Sequence, residues 1–316
     1  MNVKNASFVS FFSLFVLILA ITSPETSYAQ FGKGKSSVTG NKFRLRNKSR
    51  GKMPKNYLNS LQFIGGIGAA SYIGDLCDGG GCIELVRPSL TAGLQYRYSH
   101  HLAFRGKLSW VRISGDDEKG LNPERNLQFR SDIVELSATG TYDIFPYNKM
   151  YVRRRTVNPY GMVGFGVLYY NPQGEIDGEW HSLRPLQTEK EDYGSVSFTL
   201  IYGGGIRFKV NPLLNFGVEV GYRQTLTDRL DDVSGEYNQE NYSLSPDSPA
   251  RILTDRRNEL DPNRNFGGKN RGGELANDHY IVYGIYLEYT IKVLHQRYNI
   301  NSNPSRLRVI RSVKRR

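Results

Sequence analysis

The chain has 316 residues, and its 42 Lys and Arg outnumber 30 Asp and Glu, giving a formal charge of +12. Residues 31–60 hold nine basic residues and no acid, residues 292–316 hold eight and no acid, and residues 61–291 balance at −5. The basicity thus belongs to two tails around a mildly acidic body, and an export signal at the start argues against nucleic acid as their partner.

That signal comes first in chain order. Lys4 supplies a basic start, and Phe8 to Ile21 form an apolar run. The run is shorter than the roughly 20 residues a spanning helix needs. Ser27-Tyr28-Ala29 gives a small-x-small cleavage site, so residues 1–29 read as a signal peptide and the mature chain is expected to begin at Gln30. Residues 30–60 read as a basic periplasmic segment, 61–292 as a barrel, and 293–316 as a basic periplasmic tail.

The body shows eight stretches in which apolar and polar residues alternate with period two, the pattern of strands with lipid on one side and a lumen on the other. The first, Leu61 to Ile73, is the least regular because of its Gly65-Gly66 and Ala69-Ala70 pairs. A loop over 74–88 follows, holding the only cysteines, Cys77 and Cys82. In an oxidising compartment this pair is expected to form a local disulfide. A metal site would need more ligands than Asp75 and Asp78 provide.

The second strand, Ser89 to Tyr98, points Leu90, Ala92, Leu94 and Tyr96 outward and Gln95 and Arg97 inward. After a tight Ser99-His100 turn, the third places Leu102, Phe104, Leu108 and Trp110 outside and Arg105, Lys107 and Ser109 inside. A loop over 114–125 leads to the fourth, with Val134, Leu136, Ala138 and Tyr142 opposing Glu135, Ser137 and Thr139. The fifth, Tyr160 to Tyr170, has Val163, Phe165, Val167 and Tyr169 outward and a glycine-rich inner face. A long loop over 171–196 precedes the sixth, where Phe198, Leu200, Tyr202 and Ile206 oppose Thr199, Arg207 and Lys209. After a tight Asn211-Pro212 turn, the seventh sets Phe216, Val218, Val220 and Tyr222 against Asn215, Glu219 and Arg223. The longest loop, 225–278, leads to the eighth, His279 to Lys292, with Ile281, Tyr283, Ile285, Leu287, Tyr289 and Ile291 outward and Glu288 inward.

Connections therefore alternate short and long. The expected fold is all-β: an eight-stranded antiparallel transmembrane β-barrel with long extracellular loops and short periplasmic turns, integral to the outer membrane, with both termini periplasmic. The many tyrosines fit interfacial girdles. An eight-stranded interior is only wide enough for side chains, so inward charges of both signs predict a salt-bridged plug rather than a pore. A soluble β-sandwich also shows alternation, but not the export signal with loop asymmetry.

Catalysis would need a base and an orienting group at one rim. The best pair is His279 with an acid from Asp228, Asp231 and Asp232. No serine partner stands out, and no catalytic, cofactor-binding or metal residues are assigned. The three aspartates offer oxygen ligands for a divalent cation, but their spacing matches no EF-hand loop, and solvated turn acids are the plainer reading. A lipid-modifying or protease-type barrel enzyme and a surface adhesion barrel remain the alternatives.

Four segments carry a resemblance. Tyr72-Ile73-Gly74-Asp75-Leu76, Ile113-Ser114-Gly115-Asp116-Asp117, the run from Arg125 to Ser137, and Leu230-Asp231-Asp232-Val233-Ser234 occur in this order across 61–292. The set resembles the PorG-type outer-membrane barrels of Bacteroidetes, linked to type IX secretion and gliding motility. The resemblance implies a non-enzymatic component that anchors a periplasmic ring of a PorK-type lipoprotein and a PorN-type protein to the outer membrane. The expected partners are those ring proteins and outer-membrane lipids. Docking would fall to the basic tail, through Arg306, Arg308, Arg311, Lys314, Arg315 and Arg316. Leu307, Ile310 and Val313 recur there at helical spacing, as a segment folding against a partner would require.

Overall fold

The computed structural model describes residues 59–77, 85–119, 122–148, 153–260, 270–273 and 277–293. The signal peptide, the basic segment before Asn59 and the docking tail after Val293 lie outside the described residues. So do Cys82 and the side chain of Cys77, and with them the expected disulfide.

Among the described residues, nine strands form one antiparallel sheet. They are β1 (Ser60–Ile73), β2 (Arg87–Arg97), β3 (Leu102–Asp116), β4 (Gln128–Asp143), β5 (Val157–Ile176), β6 (Glu179–Ser182), β7 (Val196–Lys209), β8 (Leu214–Thr225) and β9 (His279–Val293). Eight of them close a barrel. Sequential neighbours pair, β4 pairs β5, β5 pairs β7, and β1 closes on β9 from Ser60↔Val293 to Ile73↔His279 with one irregularity at Leu61/Gln62. Closure leaves none of the eight barrel strands as an edge, which is the requirement for crossing lipid with strands, and β6 pairs only with the extension of β5.

The alternation read from the sequence sets the two faces. Ile67, Leu136 and Phe165 are 65 %, 64 % and 68 % exposed, and Leu90, Phe104, Phe198, Ile285 and Leu287 share that outer surface. Arg105, Lys107, Glu219 and Glu288, one residue out of phase with those rows, are buried. A chain with apolar groups outside and charges inside is the inverse of a water-soluble fold, and the outer surface is the lipid-facing belt of a transmembrane barrel.

Several boundaries move. β3 runs on to Asp116 and β4 starts at Gln128, so the loop between them occupies 117–127 rather than 114–125. Much of the expected 171–196 loop is strand. β5 continues to Ile176, turns at Asp177-Gly178 and returns as β6, with Gln173 opposite Ser182. Asp177 and Gly178 both have positive φ, 51° and 86°, as a two-residue hairpin turn demands. The tight turns hold: Ser99 N and Asn211 N donate to the carbonyls of Leu102 and Leu214. The third connection at that end, 144–156, is longer and carries Arg153-Arg154-Arg155.

The β4–β5–β7 wall is thin. A Cβ on Gly164 would run into the carbonyl of Ala138 and the backbone of Thr139 on β4, neither of which is the end of a flexible side chain. Gly164→Ala should therefore destabilise the barrel by about 1–3 kcal/mol, read as a lower urea midpoint of the refolded protein in lipid. An unchanged midpoint would mean that the wall can spread.

Candidate functional site

The interior is built in two tiers. Towards the short turns it is ionic. Arg105 Nη2 donates to Glu288 at 2.9 Å, and Arg105 Nη1 reaches Glu219. Glu219 also accepts from Lys107 Nζ and the Tyr160 hydroxyl, each at 2.9 Å. Arg207 donates to Glu288 at 2.7 Å and to Asp143, which Arg97 shares. Higher up, Arg223 approaches Glu135 at 3.5 Å, and Tyr280 donates to the same carboxylate at 2.7 Å. All these charged groups are buried. The expected plug is there, with Asp143 added at the end of β4.

The tyrosines divide between the two faces. Tyr98, Tyr142, Tyr169 and Tyr289 are exposed on the outer surface, as the girdle expectation has it, whereas Tyr72, Tyr160, Tyr280 and Tyr286 face the lumen and are buried. The hydroxyls of Tyr72, Tyr160 and Tyr280 are polar arms that reach carboxylates on other segments.

Towards the long loops the interior is apolar. Val111, Ile113, Phe129, Ile133, Leu168 and Tyr280 form a cluster into which the β8–β9 loop inserts Leu230 and Val233. The four segments that carry the resemblance meet here. The Tyr72 hydroxyl lies within hydrogen-bond distance of both Asp231, at 2.7 Å, and Asp278. Arg125 grips Asp117 in a bidentate pair at 2.7 and 2.6 Å, and donates to the carbonyls of Asp75 and Arg271 at 3.1 and 2.6 Å. Asp231 accepts from Val233 N, and Asp278 from Leu230 N. Together these bonds roof the barrel mouth.

The aspartates of this roof are not solvated turn acids. Asp231 and Asp232 are about as buried as the apolar residues beside them. Asp232 sits in the left-handed region at φ 66° and accepts from Thr188, Tyr193 and Arg271. Burial pushes the carboxyls of Asp231 and Asp278 well above the usual range, and Asp228 is pushed up to about 7 by burial with Asp75 and Glu189 nearby. One phenolic proton lies between two carboxylate oxygens, so a second proton, on one carboxyl, is needed to complete both hydrogen bonds. The oxygens of Asp231, Asp232 and Asp278 are occupied by protein donors, and among the described residues no three His, Cys, Asp or Glu side chains group as a metal site would require.

His279 does not join them. It opens β9 on the outer face, 5.4 Å from the Tyr222 ring, whereas Asp231 and Asp232 point under the roof. The candidate His–Asp pair is not formed.

The opposite end holds a feature the sequence reading did not single out. A recess of ≈ 270 Å³, counting the part open to solvent, lies between Tyr147, Arg154 and Arg155 of the 144–156 connection and Arg207 and Lys209 of β7. Lys209 donates to the Arg154 carbonyl at 2.9 Å, Arg97 lies 3.9 Å over the Tyr147 ring, and Arg155 lies 3.9 Å over Phe145. The consecutive arginines 153–155 were the available signal.

Residues 56–245 match the family described as Domain of unknown function (DUF6089). No curated protein matches the chain. Among solved structures, it is similar to Ail, the attachment invasion locus protein of Yersinia pestis, with 10 % identity over 74 % of this chain and 99 % of that one, TM-score 0.37. It is also similar to Neisserial surface protein A, with 11 % identity over 73 % and 97 %, TM-score 0.34, and to the outer membrane protein OprG from Pseudomonas aeruginosa, with 12 % identity over 74 % and 97 %, TM-score 0.36.

Proposed function

The chain belongs to the family described as Domain of unknown function (DUF6089), and on that premise we propose that it is a non-enzymatic outer-membrane component of the type IX protein secretion machinery, one that anchors a periplasmic lipoprotein ring to the outer membrane. The observation that carries this reading is the closed interior: the lumen is filled by buried ion pairs and its mouth is roofed, so the barrel works through its surfaces rather than as a conduit. The four segments that resemble PorG-type barrels point to the same assignment. The cationic short-turn end, from which both basic tails extend, is the face we assign to the periplasm and to the ring's PorK-type and PorN-type proteins. His279 turned away from the roof acids suits a role without catalysis.

The test is a mild-detergent pull-down of the tagged barrel from its own outer membrane. Co-purification of a periplasmic ring lipoprotein and its partner is the expected result, and removal of residues 293–316 should release them while the barrel stays folded. A barrel that emerges alone under conditions preserving other membrane complexes overturns the assignment. One observation favours a second reading as an adhesion barrel: the described residues of the β8–β9 loop, 226–260, 270–273 and 277–278, fold into the roof and present a surface there. Trimming 235–277 should then abolish surface binding and leave secretion intact.

A further inference from the structure

We propose that the recess at the short-turn end is a binding site for a phosphate-type oxyanion. This stands apart from the ring-anchoring reading and survives its failure.

The first argument is charge. Among the described residues, the lumen network sets five buried cations (Arg97, Arg105, Lys107, Arg207 and Arg223) against four buried carboxylates (Glu135, Asp143, Glu219 and Glu288). One positive charge is left over before the recess is reached. The described lining of the recess includes Arg154, Arg155 and Lys209 and no acid; Arg154 and Lys209 make further contacts of their own, so the uncompensated charge is counted in the lumen network alone. Buried cations persist only when something of opposite sign completes them.

The second argument is an orphaned donor. Arg207 is 2 % exposed and spends Nε on Glu288 and Nη1 on Asp143, yet its Nη2 has no acceptor among the described residues. Arg207 lines the recess. Arg97, stacked behind on Tyr147, also leaves Nε and Nη2 without an acceptor. Unpaired buried donors are rare enough that each calls for an acceptor, and an anion or a water bound to one is a standard solution. The donors approach from two separate segments, the 144–156 connection and β7. A tetrahedral anion offers oxygens in several directions and so can meet them together, whereas a carboxylate's two oxygens lie in one plane. The position at the barrel end allows two sources of that chemistry: free phosphate, or the headgroup of an anionic lipid in the adjacent leaflet.

The test uses the full chain refolded in detergent, with sodium phosphate titrated calorimetrically at low ionic strength. Arg155 is exposed and contacts only the Phe145 ring among the described contacts, so Arg155→Glu should leave the barrel folded, as its heat-modifiable gel mobility would verify. Wild type should bind phosphate saturably, and the variant about tenfold more weakly or not at all. Arg207→Gln should give the same loss if it folds. Native mass spectrometry from phosphatidylglycerol nanodiscs distinguishes the sources. Lipid retained by wild type and lost from Arg155→Glu assigns the headgroup; phosphate binding without lipid retention assigns the free ion. The proposal is overturned if neither ligand distinguishes wild type from Arg155→Glu, or if a deca-glutamate peptide occupies the recess and phosphate does not displace it.

Discussion

Glu219→Gln should lower the stability of the barrel by about 3–5 kcal/mol, because removing one partner of a buried ion pair strands the other. Glu219 is 2 % exposed and is the shared acceptor of Arg105, Lys107 and Tyr160. The amide that replaces it keeps the volume but puts an N–H₂ group where donors already converge. Urea unfolding of the protein in lipid should show the loss as a reduced midpoint. Coupling the change to Lys107→Met removes one stranded cation, and the double variant should be more stable than the sum of the two single losses. A Glu219→Gln midpoint equal to wild type would show that the lumen is hydrated well enough to screen its charges, and the plugged-barrel description would fall with it.

The second large effect concerns pH and acts on the roof. Asp231 and Asp278 hold their carboxyls well above the usual range because they are buried, and Asp228 is pushed up to about 7. In the unfolded or opened loop the same groups ionise near 4. Between those limits the closed form binds more protons than the open form, so closing stability falls as pH rises. The contribution is fully present below about pH 4 and is lost as pH climbs through the folded values, near 7 for Asp228 and well above the usual carboxylate range for the Tyr72-linked pair. Tryptic nicking at Arg229 and Arg251, measured relative to a free peptide of the loop, should accelerate between pH 5 and 9. Asp231→Asn with Asp278→Asn, which supplies permanent donors to the Tyr72 oxygen, should flatten that profile. A nicking ratio that stays constant over the range would show that the shared proton does not hold the roof.

Much of the barrel was legible because the physics that builds it is local. Period-two alternation placed Arg97, Arg105, Lys107, Glu219 and Glu288 inside and their apolar neighbours outside, and no tertiary contact overrides that geometry once the sheet closes. Asp143 escaped because it lies one residue past the last outward tyrosine of its strand, where alternation gives way to turn composition. The hairpin at Asp177-Gly178 carries a local signal, an Asp-Gly pair, but it lies in a stretch whose length and polar composition read as loop. The roof had no such signal. Its aspartates are buried by Tyr72 and Arg271, which lie 159 and 39 residues away along the chain, and only the folded structure brings them together. Likewise, Arg154 and Arg155 form a recess only because Arg207 and Lys209 of β7 come up beneath them.

The pairing of Ser60 with Val293 has a consequence for avidity. The two basic stretches of sequence are anchored at one ladder position, so whatever binds one of them finds the other tethered beside it. A partner able to bind both stretches would meet their seventeen Lys and Arg, separated by more than two hundred residues of sequence, through two attachments joined at one ladder pair of the rim. A partner that weakly engages either stretch gains the second contact intramolecularly, and cutting one stretch should cost it far more than half of its grip.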